Sequence, residues 1–107
     1  MILVYITCED FDQAKKIGLA LLKKRLAACV NIIPETQPYY WWPPKVNKLD
    51  EAAETESLLL VKTIADKYDE IQAVVLKMHS YESPAIFSVK VDRVEPKFLA
   101  WVRGELA

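Results

Sequence analysis

Apolar and polar positions alternate at the start of the chain and then change to a helical spacing. In residues 2–7 every second side chain is aliphatic, which is typical of a strand with one face in a core. Asp10 followed by Gln13 is typical of a helix N-cap, and apolar residues then recur three or four positions apart. The pattern predicts a strand over 2–7 and a helix over about 10–26.

The same criteria predict the remaining elements. Short runs of aliphatic and β-branched residues favour strands, and apolar residues at helical spacing favour helices. Residues 34–54 contain four prolines and four consecutive aromatic residues between two such strands, which predicts a long hairpin arm with an irregular tip. We expect strands at 27–33, 56–63 and 85–91, a helix ending at His79-Ser80, and a last helix beginning at Pro96.

The order of elements predicts the fold class. A β-α-β-β-α-β core is the split, ferredoxin-like α+β sandwich, here extended by a C-terminal helix and the aromatic arm. We expect one domain over residues 1–107, with the first two helices on one face of an antiparallel sheet. Strand 56–63 is apolar on both faces, whereas a sheet with one wet face alternates more cleanly. The second face therefore needs a cover, and a homo-oligomer supplies one.

Composition and charge exclude several classes of function. A net charge of −1 gives no general attraction to nucleic acid or to an anionic membrane. Two glycines leave no phosphate-binding loop, and no apolar run approaches the length of a membrane span. The start of the chain has no basic leader, and two cysteines in an unexported protein are more commonly free thiols. These features predict a cytoplasmic protein with neither nucleic acid nor membrane as partner.

Several segments, taken together and in order, resemble the CutA family of divalent-cation tolerance proteins. A Cys-Val-Asn series, a Lys-Thr pair and a His-x-Tyr-x-x-Pro series carry the resemblance across nearly the whole chain. The matching segments are Lys24–Pro34, Tyr40–Trp42, Leu60–Thr63, His79–Ala85 and Phe98–Val102.

The resemblance implies a function as well as a fold. Members form tight homotrimers through their sheets, are linked to tolerance of copper and other divalent cations, and are cytoplasmic in microbes. It implies a non-enzymatic protein that binds copper or other divalent cations weakly at clefts between subunits and has no obligatory cofactor. The trimer also resembles the PII signalling proteins, so the alternative is a small-molecule or anion sensor in which Lys62 and the arm line a pocket.

His79 is the only histidine and the first candidate for metal chemistry. With Cys29 or Glu82 from a neighbouring subunit it would form a copper or zinc site, since imidazole and thiolate suit these ions. The alternative is a histidine at a helix C-terminus that is hydrogen bonded to carbonyl groups. Cys29 has an alternative of its own, as a small buried hydrophobic residue.

The aromatic arm and the apolar strand are the candidate subunit interface. Aromatic side chains dominate protein interfaces, and the prolines beside them stiffen the segment. Base or ligand stacking on the arm is the weaker alternative. The predicted interface residues are Tyr40, Trp41, Trp42, Leu59 and Val61.

Overall fold

A four-stranded antiparallel sheet with helices against one face forms the body of the protein. The computed structural model describes all residues 1–107. The strands are β1 (Ile2–Cys8), β2 (Cys29–Thr36), β3 (Tyr40–Trp41), β4 (Leu49–Asp50), β5 (Glu56–Thr63) and β6 (Ile86–Lys90). The helices are α1 (Phe11–Lys23), α2 (Tyr68–Met78), which a short 3-10 turn precedes, and α3 (Pro96–Leu106).

The sheet confirms the predicted ferredoxin-like topology. The strand order is β2-β5-β1-β6, with every neighbouring pair antiparallel. Strands β3 and β4 form a separate two-stranded arm between β2 and β5. The arm lengthens the molecule, which measures 46 × 26 × 23 Å. Its radius of gyration is 15.0 Å, against about 13 Å for a compact domain of this length.

Helix α1 ends earlier than the predicted residue 26. Arg25 adopts a left-handed conformation with φ of 57°. Its N–H donates to the carbonyl of Leu22, and the N–H of Leu26 donates to the carbonyl of Leu21. This pair of bonds is a Schellman motif, which glycine usually supplies. At its other end α1 begins as predicted, because the Asp10 carboxylate accepts a hydrogen bond from the Gln13 N–H at 2.8 Å.

Strand β2 runs past the predicted end at residue 33. A register shift between Ile33 and Thr36 marks a bulge, within which Glu35 has φ of 57°. A proline at an edge strand removes no ladder hydrogen bond when its nitrogen faces away from the sheet. The bulge lets the strand continue to Thr36, and the arm begins from there.

The core lies between the sheet and the first two helices. Side chains at alternate positions of β1 and β5 are fully withdrawn from solvent there, and α1 and α2 contribute the opposite layer. Gly18 of α1 sits where a Cβ would come within 3.2 Å of Leu59 and Val30, so α1 approaches the sheet closely. The other face of the sheet has neither α1 nor α2 against it.

Candidate functional site

The face of the sheet opposite α1 and α2, here called the open face, is largely apolar. Directly paired residues of antiparallel strands point to the same face, and the registers assign its members. Tyr5 stacks on Phe87 across this face with ring centroids 4.7 Å apart. Phe87 and Val89 are each nearly half exposed, at 47% and 48%. The open face carries Leu3, Tyr5, Thr7, Cys29, Asn31, Ile33, Leu58, Leu60, Lys62, Phe87 and Val89.

The placement of Leu59 and Val61 at a subunit interface is wrong. Both side chains are 0% exposed and belong to the subunit's own core beneath the helices. Successive side chains of a strand point to opposite faces, so the β5 leucines that lie on the open face are Leu58 and Leu60. The sequence correctly indicated two apolar faces, but both were aliphatic, so hydrophobicity alone could not tell which one was inside.

The aromatic arm leaves its large side chains in solvent. Tyr40 and Trp41 form β3, whose partner strand is β4. Tyr40, Trp41 and Trp42 are all exposed, Trp41 by 62%. Tyr40 meets Trp42 edge to face at 6.5 Å, but no element of the same subunit covers the group. Exposed aromatic residues of this kind are typical of interaction surfaces.

His79 follows the last residue of α2 and is buried, with 8% exposure. Its ring Nε2 lies 2.7 Å from the carbonyl oxygen of Thr7 at the end of β1. The N–H of Tyr81 donates to its Nδ1 at 3.0 Å. A carbonyl can only accept and a backbone N–H can only donate, so the ring is the neutral tautomer with its proton on Nε2.

Neither ring nitrogen of His79 is therefore free for a metal in the folded subunit. The geometry supports the hydrogen-bonded alternative, although the carbonyl it uses belongs to β1 and not to its own helix. The sequence could not reveal this partner, because Thr7 is 72 positions away along the chain.

Three further contacts fasten the same end of the molecule, and sequence analysis missed them. The Gln13 amide donates to Ser80 Oγ at 2.9 Å, joining the start of α1 to the loop after α2. The Gln13 carbonyl oxygen accepts from the Glu9 N–H at 2.7 Å. Tyr81 donates to the Glu56 carboxylate at 3.2 Å. With the two bonds of His79, we call this network the His79 clasp.

Two side chains at this end have raised pKa values. Burial, followed by Asp10 and Glu56, raises the pKa of the Cys8 thiol to about 12. Burial, followed by Glu56, raises the pKa of Tyr81 to about 12. Both groups are neutral at physiological pH, and Cys8 is fully buried, so it is not a reactive thiol.

The three predicted metal ligands do not meet within one subunit. Cys29 is half-buried on the open face and pairs with Lys62, which is level with Leu3 on β1. His79 lies at the level of Thr7, four positions further along β1 and so about 13 Å away along the strand. Glu82 is exposed in the loop after α2. The chain contains no group of three or more histidine, cysteine or acidic side chains placed to hold one ion.

Lys62 is the one charged side chain in the middle of the open face. Its ammonium donates to the Asn31 side-chain oxygen from the neighbouring strand. The only ion pair in the molecule lies elsewhere, between Arg25 and Glu105 at 2.7 Å. A cation on an apolar surface, with a neutral amide as its partner, is the unusual feature of this face.

Fold and surface together define a class: a small α+β subunit with an uncovered apolar sheet face and a projecting arm. Residues 2–105 match the family model of the CutA1 divalent ion tolerance protein. The chain is 40% identical over 99 residues to the divalent-cation tolerance protein CutA of Archaeoglobus fulgidus, covering 92% of this chain and 91% of that one. It is 37% identical over 105 residues to the Pyrococcus horikoshii protein, covering 98% and 97%.

Solved structures agree with this match. The Thermus thermophilus divalent cation tolerance protein superposes with a TM-score of 0.90 at 32% identity, over 100% of both chains. An Archaeoglobus fulgidus CutA superposes with a TM-score of 0.90 at 35% identity, again over 100% of both. The chain belongs to the CutA1 family, whose description names tolerance of divalent ions and no reaction.

The expected cytoplasmic location is wrong in the light of these relatives. The Archaeoglobus fulgidus structure is described as a periplasmic divalent cation tolerance protein. The expectation rested on the beginning of the chain, on its cysteine count and on the family resemblance, none of which shows where a folded protein resides. None of the helices has both the length and the apolar character needed to cross a bilayer.

Proposed function

We propose that the protein is a homotrimer, assembled through the open face and the aromatic arm, which binds copper or other divalent cations weakly where its subunits meet. The observation that carries this proposal is the open face. Burial of a half-exposed aliphatic or aromatic side chain contributes on the order of 1 kcal/mol, and this face offers several together. A contiguous apolar surface with aromatic residues beside it is typical of an obligate interface.

A pair of leucine variants tests the assembly. Leu60→Glu places a charge on the open face, whereas Leu76→Glu places the same charge on the exposed outer side of α2. We expect Leu60→Glu to lower the solution mass towards that of one 12.3 kDa chain and Leu76→Glu to leave it unchanged. Equal masses for the two variants would remove the open face from the interface.

The cation sites in this proposal lie between copies, because one subunit brings no three ligands together. Cys29 on the open face and Glu82 in the loop after α2 keep donor atoms free, and in an assembly each can come from a different copy. Thiolate and carboxylate together accommodate copper and zinc. Sites built from few protein ligands bind weakly, which suits tolerance more than permanent storage.

Calorimetric titration with Cu²⁺ tests the ligands. Cys29→Ser and Glu82→Gln should each reduce the affinity several-fold, while the trimer persists. His79→Gln should lower the stability of the fold but bind Cu²⁺ as the wild type does. Unchanged binding in both of the first two variants would exclude these ligands.

A binding protein fits the geometry better than an enzyme does. Nucleophilic catalysis needs a thiol or hydroxyl beside a base. Here the Cys8 thiol is buried with a pKa raised to about 12, and both ring nitrogens of His79 are engaged with the backbone.

A further inference from the structure

Lys62 makes no ion pair with a carboxylate of its own subunit. On the same face of β5 the nearest acidic residue is Glu56, six positions away and so about 20 Å along the strand. Glu56 is itself engaged by the hydroxyl of Tyr81. Apart from Glu56 at the far end of β5, the other residues of this face are uncharged, and the ammonium reaches only the amide oxygen of Asn31.

Covering the open face would remove this ammonium from water. Withdrawing an ion from water without a counter-charge has a large desolvation cost, and a neutral amide offsets only part of it. In the trimer proposed above, therefore, a negative group has to reach Lys62 from outside its own chain.

The return side of the arm carries unused negative charge. We call residues 50–54 the acidic arm segment; they contain Asp50, Glu51 and Glu54. Asp50 accepts a hydrogen bond from the N–H of Ala52, but the carboxylates of Glu51 and Glu54 are exposed and have no partner in the subunit. Both glutamates precede the first residue of β5, whereas Lys62 is next to its last residue, so neither carboxylate can reach Lys62 of its own chain.

We propose that Lys62 of one copy pairs with the Glu51 and Glu54 carboxylates of a neighbouring copy, and that this pairing fixes how the arm lies across the open face. The inference rests on the proposed trimer and adds the charge contact that orients it. Apolar contacts supply most of the association energy, whereas a desolvated charge pair tolerates few alternative registers.

Zero-length cross-linking between copies tests the pairing directly. Uniformly ¹⁵N-labelled and unlabelled protein are unfolded, mixed, refolded together and treated with a carbodiimide, which joins an amine to a carboxylate in contact with it. We expect a Lys62–Glu51 or Lys62–Glu54 cross-link that contains one labelled and one unlabelled peptide. A trimer without such a mixed cross-link overturns the pairing alone, whereas a monomeric sample overturns the trimer itself.

Charge reversal gives a second, independent readout. Lys62→Glu should raise the subunit dissociation constant about tenfold or more, and adding Glu51→Lys and Glu54→Lys should restore most of the loss. Lys77→Glu, on the exposed side of α2, is the matched control and should change nothing. If inorganic phosphate tightens the wild-type trimer but not the Lys62→Glu variant, the counter-charge is a bound anion and the proposal is wrong.

Discussion

His79 joins three separate parts of the chain with one side chain and its own backbone. Its N–H donates to the Val75 carbonyl at 2.8 Å, its Nε2 contacts the carbonyl of Thr7, and its Nδ1 accepts from Tyr81. The residue thus ends α2, holds the end of β1 and shapes the loop that follows. Its role in the subunit is structural. Both ring nitrogens, which a catalytic or metal-binding histidine would need, are engaged in hydrogen bonds that hold the fold together.

His79→Ala should lower the free energy of unfolding by about 2–4 kcal/mol, because it leaves two part-buried backbone groups without partners and opens a cavity where the buried ring was. Urea denaturation measures this loss. The ¹⁵N shifts of the ring in the wild type should report a proton on Nε2. A ring protonated on Nδ1, or a loss below about 0.5 kcal/mol, would contradict the clasp.

Cys8 makes the free energy of unfolding depend on pH in the alkaline range. Its pKa is raised to about 12 in the folded protein from an ordinary value of 9.0, so above pH 9 the unfolded chain loses a proton that the folded chain keeps. Stability contributed by the neutral thiol is therefore complete below pH 9 and is lost as the pH rises towards 12. Tyr81, with a pKa raised to about 12, acts in the same direction.

The Cys8→Ala variant should show a shallower loss of stability than the wild type between about pH 9 and about pH 11, as measured by urea denaturation at each pH. In the native state at about pH 8, a thiol reagent should modify Cys8 much more slowly than it does in the urea-unfolded protein. Equal rates for Cys8 in the native and the unfolded protein would show that Cys8 is not held in the core.

At the level of whole elements, the periodic pattern of apolar residues predicted the strands and helices. It did not predict where an element ends or bulges. The strands and helices followed their periodicity, and the Asp10 cap confirmed the start of α1. The end of α1 was missed because the left-handed residue that ends it is Arg25, and not the glycine that usually marks such a position. The bulge at Glu35 carries β2 through a proline that by itself indicates an end.

The candidate site was less predictable for a related reason. The arm aromatic residues and the two-sided strand were predictable, because both are local patterns in the sequence. The side of β5 that faces inward depends on where α1 and α2 pack, and the partners of His79 depend on tertiary structure. Gln13 was identified as a cap residue, but its bond to Ser80 spans 67 positions and has no local signal.

The two glycines of the chain make a matched test of how closely α1 approaches the sheet. Gly104→Ala adds a methyl group to α3 in open space and should stabilise the protein by about 0.5–1 kcal/mol through helix propensity. Gly18→Ala gains the same propensity, but its methyl group meets Leu59 and Val30 at 3.2 Å. It should be at least about 1 kcal/mol less stable than Gly104→Ala by thermal or urea unfolding. Equal gains would show that α1 has room to spare.

At the scale of the whole molecule, three features require a partner subunit. They are the uncovered sheet face, the exposed arm and the charge of Lys62. Each is a feature that one subunit leaves incomplete. A monomer of 107 residues buries a smaller share of its surface than a larger domain does, so an apolar face of this size left in water works against its stability. In the trimer proposed above, the divalent cations whose tolerance describes the family would bind in the clefts between subunits.

The solution mass of the wild-type protein tests this account most directly. Size-exclusion chromatography with light scattering at about micromolar concentration should give three times the 12.3 kDa mass of the chain, and the mass should persist on further dilution. A folded particle of 12.3 kDa would mean that the open face is stable in water, and the account built on its burial would fail.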